Sequence, residues 1–562
     1  MTIAGRVSGD VEVTRFVLNG APVEVSNEHP HLLSALREEL GVTSPKDGCS
    51  PQGQCGCCTV LVDGKAQASC LVSLEKASGK SIVTLEGFDP AERERFSTAF
   101  AATGALQCGF CTPGIVLRLA ALAGRRTPPD EATVRTALAA HLCRCTGWQS
   151  IVEAGCRALG IAMDTARTAG PHPPTAPGGG GRDPLLSSWR AQLEGPAFQV
   201  SGPDVVLGAG GFADDTAPAG ALVALDEGPG PPQAEPTVAA ARARSTKVQG
   251  RRSTVPLRHP LEVPGGDWAL TLRTTWVEPA YLEPDASWCA PGSRPASPLA
   301  NGGAFGGKRR SPVPALARAL ADQHGRPVRV LWSREEVVRR GPKRPPVAAG
   351  MRDDGTGVLR VARTPGAEGL DRFAERVGRA APGLVVEAVD VAGPPVSADL
   401  RGAGWAEAAV LTTALRALAR GGGPGSAVEV TSPAGGRARV RVVPQGPVAV
   451  EVWAGEVLDE ITLRSYCIGA VHQALGWVWS EGISVDEAGT VHDLTIRSFG
   501  ILTARQTPAV EVTVHRADTW PVNGSDAVFA ATAASAWLGE GLVASWPTRR
   551  KDGGRPSPAV AR

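Results

Sequence analysis

Eight cysteines in the first third of the chain fall into two sets of four: Cys49, Cys55, Cys58 and Cys70, then Cys108, Cys111, Cys143 and Cys145. A 2Fe-2S cluster needs four soft thiolates converging on two irons, and a Cys-x-x-Cys pair in a glycine-bearing loop supplies two adjacent ones. Two such sets imply two clusters and electron transfer between them. Zinc sites or unligated thiols are the alternatives these residue types leave open. Ten of the twelve cysteines precede residue 157, and in a long chain such clustering favours metal binding over disulfides. Cys289 and Cys467 read as small buried side chains.

At 562 residues the chain exceeds what one core normally supports, so three or four domains are expected. With 58 basic against 56 acidic residues it has no charge bias toward nucleic acid or a polybasic membrane surface. No apolar run reaches the length of a span, and the start, MTIAGRVSGDVEV, lacks the features of a signal peptide, so a cytoplasmic location is expected. Protein and small-molecule partners remain.

Residues 11–25, VEVTRFVLNGAPVEV, alternate around Asn19-Gly20 and predict a hairpin. HLLSALREELG predicts a helix with Leu32, Leu33, Leu36 and Leu40 on one face. CTVLVDGKAQASC predicts a second hairpin and SIVTLEGF a further strand, giving a β-grasp domain of the ferredoxin kind with its cluster loop between helix and hairpin. From about residue 90 the period becomes helical. Thr112 is expected to N-cap a helix with Pro113 first inside it; further helices are expected over about 130–141 and 148–159. Antiparallel packing would bring Cys108 and Cys111 beside Cys143 and Cys145.

The fold class is therefore α+β and multidomain. A β-grasp 2Fe-2S domain is expected over 1–88, a four-helix 2Fe-2S bundle over 89–168, a Pro/Gly-rich linker over 169–200, an α/β region over 201–550 and a disordered tail over 551–562.

GCSPQGQCGCCTVLVDG, ALQCGFCTPG and HLCRCTG resemble the iron-sulfur subunit of the xanthine dehydrogenase and aldehyde oxidase family of molybdenum hydroxylases, across the first 165 residues. The resemblance implies that both cysteine sets hold 2Fe-2S clusters, the second beside a molybdopterin that the residue matching Gln107 approaches. Five residues separate Cys49 from Cys55 where the family has four, and Cys57 stands where alanine is usual and is expected to point away. AYLEPDA, GGAFGGK, RPVRVLWSREE, LRGAG and IGAVHQALGWVWSEG resemble, in order, the molybdenum-binding subunit. That likeness implies a cofactor loop at Gly302, Gly303, Phe305, Gly306 and Gly307, with Glu283 and Arg401 orienting substrate through charge-assisted hydrogen bonds.

The family's base, a glutamate before an alanine-rich helix, aligns with Ser525, so the catalytic base is missing at its position. The region is also about half the expected size. The resemblance thus implies an oxidoreductase component that passes electrons from a molybdopterin site, in this chain or a partner, through two clusters to a flavin or other acceptor. FAD would lie only in a partner subunit. The alternative is a docking subunit with a degenerate, non-catalytic second half; a small-molecule substrate is implied only if the chain is catalytic.

Overall fold

The computed structural model describes residues 12–163, 182–195, 197–228, 230–245 and 255–549. Strands β1 (Val13–Leu18) and β2 (Ala21–Ser26) form the first hairpin, and Asn19 at φ 52° and Gly20 at φ 85° supply its tight turn. β3 (Thr59–Val62) and β4 (Lys65–Ala68) form the second, and β5 (Ser81–Val83) lies between the hairpins. The sheet order is β2-β1-β5-β3-β4, with β1 and β5 parallel and the other pairs antiparallel. Crossing it, Leu32–Ser34 makes an α turn that widens into a π turn over Ala35–Glu39. Leu32 and Leu36 are wholly buried there, each removal from water contributing about 1.5–3 kcal/mol.

The helical domain contains Pro90–Thr103, Thr112–Ala123, Glu131–Ala137 and Gln149–Ala158. Asp89 and Asp130 cap the first and third by accepting from backbone N–H groups three residues on. The expected cap at Thr112 is corrected: Cys111 is the N-cap and Thr112 already lies in the first turn. Gly109, at φ 83°, turns the chain so that Thr112 N–H reaches its carbonyl at 3.2 Å and helical backbone begins one residue early.

Of the expected linker, 169–181 lies outside the described residues, as does the tail over 551–562. Its second part folds as the helix Pro184–Glu194. The remainder holds three four-stranded sheets among the described residues. The largest core forms where Trp405–Ala419, Glu460–Trp479 and Ser525–Gly539 pack on the sheet carrying Val428–Thr431, Arg437–Val442 and Val448–Trp453. No helix among the described residues is long and apolar enough to cross a membrane.

Candidate electron-transfer centre

The first four cysteines come from a loop without regular structure and from the turn after β4, and all are buried. Their sulfurs form an open ring of contacts, Cys55 to Cys49, Cys49 to Cys70 and Cys70 to Cys58. Gln52 N–H donates to Cys49 Sγ at 3.1 Å, and Cys57 N–H to Cys55 Sγ at 3.5 Å. Hydrogen bonds from Cys55 and Cys70 hold the Cys49 thiol well below the usual range, while Cys55 and Cys70 are pushed up by sharing protons with their neighbours.

The second four form two pairs, Cys111 against Cys143 and Cys108 against Cys145, the latter pair 3.6 Å apart. Cys143, bonded to Cys111 and 3.2 Å from Thr146 Oγ1, is lowered to about 6. Thiolates are metal-ready and bound iron takes the place of the shared protons. No group of three His, Cys, Asp or Glu among the described residues is arranged to hold a single ion. A zinc site needs four ligands about one centre, whereas each iron of a 2Fe-2S cluster takes two protein thiolates, so sulfurs spread over paired contacts fit the diiron group.

Cys57 does not turn clear of the first ring. It is fully buried, touches Cys55, and lies close enough to both tetrads for Cys49, Cys58 and Cys143 all to bear on its thiol. The extra residue between Cys49 and Cys55 is absorbed in the loop, which the second half clamps. Arg334 donates to the Gly48 and Leu282 carbonyls at 2.8 and 2.7 Å, Gln52 to the Leu494 carbonyl at 2.9 Å, and Arg497 to the Gln54 carbonyl at 2.8 Å.

The AYLEPDA, GGAFGGK and LRGAG motifs of the second half gather near the second tetrad, where several of their polar groups pair with one another. Glu283 accepts from Lys308 at 2.8 Å, and burial pushes its carboxyl up to about 7 against the pull of that ammonium. Arg401 donates to Asp526 at 2.9 Å and to Ser525 Oγ at 2.6 Å, and its N–H reaches the Phe305 carbonyl at 3.1 Å. Glu283 and Arg401 line separate cavities. Gln107 Nε2 donates to the Cys145 carbonyl and Ser465 Oγ at 3.0 and 3.1 Å.

Four residues escaped the sequence reading. Arg144, between two cysteines of HLCRCTG, forms a buried bidentate pair with Glu481 of the WVWSEG motif, so both partners lie inside motifs that the sequence singles out. Asn301 Nδ2 donates to the Cys108 carbonyl at 3.0 Å. Glu194 accepts from the Gly524 and Ser525 N–H groups at 3.1 and 2.8 Å, and no sequence signal links it to them.

The cavities beside Gln107, Gly303, Phe305 and Arg401 are small, whereas Gly306 and Gly307 line a larger one of about 240 Å³. The cavity between Gln107, Gly302, Gly303 and the second tetrad has about 20 Å³, and the one beside Phe305 and Arg401 about 40 Å³. At roughly 10–15 Å³ per water these hold a few waters. Gly303 sits directly on the second tetrad, since a Cβ there would meet Cys108 Cβ at 2.8 Å and its sulfur at 3.0 Å. The guanidinium of Arg344, paired with Glu407, lies 4.0 Å over Trp477 and closes the second cavity further.

A family described as the 2Fe-2S binding domain matches residues 84–156. The xanthine dehydrogenase iron-sulfur-binding subunit of Escherichia coli O157:H7 is 44% identical over 139 residues, covering 24% of this chain and 87% of that protein. The nicotinate dehydrogenase small FeS subunit of Eubacterium barkeri is 38% identical over 136 residues, 24% of this chain and 86% of that one. The crystal structure of the aldehyde oxidoreductase from Desulfovibrio desulfuricans ATCC 27774 matches 97% of this chain and 99% of that chain, with a TM-score of 0.68 at 15% identity. At that identity the likeness is one of fold.

Proposed function

The chain belongs to the xanthine dehydrogenase/aldehyde oxidase family of molybdenum hydroxylases, and from that premise we propose that it is the electron-passing, iron-sulfur component of such an oxidoreductase. The thiolates of each tetrad would hold one 2Fe-2S cluster, which would supply single-electron transfer, and the N–H groups of Gln52 and Cys57, donating to Cys49 Sγ and Cys55 Sγ, would tune the first centre. Electrons enter from a molybdopterin held by a partner protein and leave to a flavin protein or another acceptor.

The observation that supports this reading is the seating of Gly303 directly against Cys108, which leaves no space between the glycine loop and the second tetrad at that point. The second half then serves as a non-catalytic scaffold. Its loss of the base supports that role: Ser525 Oγ accepts from the Arg401 guanidinium, which makes the hydroxyl a poorer proton acceptor.

Metal analysis of the chain purified alone tests the proposal. About four irons per chain, two per cluster, and no molybdenum are expected. Reduction of the clusters by a substrate should then require an added molybdenum protein. One equivalent of molybdenum per chain, with substrate-dependent reduction in its absence, would contradict the assignment.

A further inference from the structure

Two arginines of the second half reach the first tetrad in the same way. Arg334, wholly buried, donates from Nη2 to the Gly48 carbonyl at 2.8 Å, and Gly48 is the residue before Cys49. Arg497 donates from Nε to the Gln54 carbonyl at 2.8 Å, and Gln54 is the residue before Cys55. Gly48 backs onto the sulfurs, since a Cβ there would meet Cys55 Sγ at 3.3 Å. Each guanidinium therefore stands one peptide unit from a cysteine of this set.

Neither charge is answered by a carboxylate. Among the described residues Arg334 and Arg497 make no ion pair, and their guanidinium hydrogen bonds all go to main-chain carbonyls, Arg334 also to Leu282 at 2.7 Å and Arg497 also to Ala140 at 2.6 Å. Nη1 of Arg334 is buried with no hydrogen-bond partner among them. The other charges on the loop are matched: Lys46 pairs with Asp215 and Asp47 with Arg242, and Glu335 accepts from Gln52 Nε2 at 3.1 Å. A guanidinium stays protonated wherever it sits, and burying it is costly unless an anion lies close. Four thiolates around a diiron core carry a net negative charge, which is what these two sites lack. Burial lowers the Arg497 pKa, and Cys55 and Cys49 pull it back up.

We propose that Arg334 and Arg497 are the counter-charges of a cluster on the first tetrad and that, through them, the second half sets its reduction potential. Reduction adds one electron and no atoms, so the centre gains one negative charge, and a fixed positive charge nearby favours the reduced form. Arg334 acts through protein with little screening, whereas Arg497 is exposed to water and acts more weakly. This role rests on the two-cluster reading above and makes the second half an electrostatic partner of the first.

The test uses the full chain with both clusters reconstituted, their midpoint potentials read from the two electron paramagnetic resonance signals during a reductive titration. An unmodified chain that takes up fewer than about four irons fails the two-cluster reading, separately from the role of the arginines. Arg497→Gln should make the first cluster about threefold harder to reduce and Arg334→Gln about tenfold, roughly 60 mV for a one-electron couple, with the second cluster unmoved. Arg497→Lys should restore the parent potential. Mere loosening of the loop would act in the opposite direction, because water favours the more negative reduced form. A first-cluster potential that is unmoved or raised in either assembled variant, or a fall of equal size at both clusters, overturns the proposal.

Should Arg334→Gln fail to take up the first cluster, Arg497→Gln and Arg497→Lys decide. A potential that falls in the first and returns in the second supports the proposal, and any other pair of values overturns it.

Discussion

Arg144 and Glu481, far apart in the chain, face each other as a buried fork, with Nη2 donating to Oε2 at 2.8 Å. Arg144 also donates from Nε to the Pro279 carbonyl at 3.0 Å, so its guanidinium braces the segment between Cys143 and Cys145 against the second half. Removing one partner strands the other charge away from water. Glu481→Leu should cost about 3–5 kcal/mol of stability, whereas replacing both by apolar residues of similar volume should cost much less. Denaturant unfolding of the two variants and the parent measures the difference.

Gly303 against Cys108 gives a sharper test of how the halves meet. At φ 82° an alanine is strained, and its Cβ would press on Cys108 Cβ at 2.8 Å. Gly303→Ala is expected to distort or lose the second cluster while the first keeps its spectrum. Iron content falling toward half, with one resonance signal surviving, is the result to look for.

The cysteines themselves divide by role. Cys70→Ser and Cys143→Ser should each remove one cluster, lowering iron from about four to about two per chain. Cys57→Ala should leave the iron count unchanged, because Cys57 touches the first tetrad only at Cys55, while Cys55, Cys49, Cys70 and Cys58 already make a run of four thiols. Iron and sulfide analysis of the three variants checks the division.

What sequence reasoning reaches in this chain is local. The spacing of Cys108, Cys111, Cys143 and Cys145 follows from helix starts and turns, so the tetrad is legible without the fold. The hairpin at Asn19-Gly20 and the helical domain are legible for the same reason. Long-range partnership is not. Nothing in the local pattern around Glu194 links it to Gly524 and Ser525, and the motif around Glu283 points to substrate where the fold pairs that carboxylate with Lys308. The N-cap falls at Cys111 in place of Thr112 because the turn at Gly109 sets helical geometry one residue early.

His472 contributes one part of the pH dependence of the second half, opposite in sign to that of Glu283. It is fully buried in the Glu460–Trp479 helix, and Nε2 lies 3.0 Å from the Leu502 carbonyl, so that nitrogen must carry the proton. Burial lowers its pKa to about 4 from an ordinary 6.5. Between these values the unfolded chain binds a proton that the folded chain refuses, so stability from this group is full above pH 6.5 and is lost as pH falls toward 4. At 1.36 kcal/mol per pKa unit, the loss amounts to about 3 kcal/mol. His472→Gln keeps an N–H for Leu502 and cannot titrate. Its unfolding free energy should therefore fall less steeply than the parent's between pH 6.5 and 4, and parallel curves would remove His472 from the account.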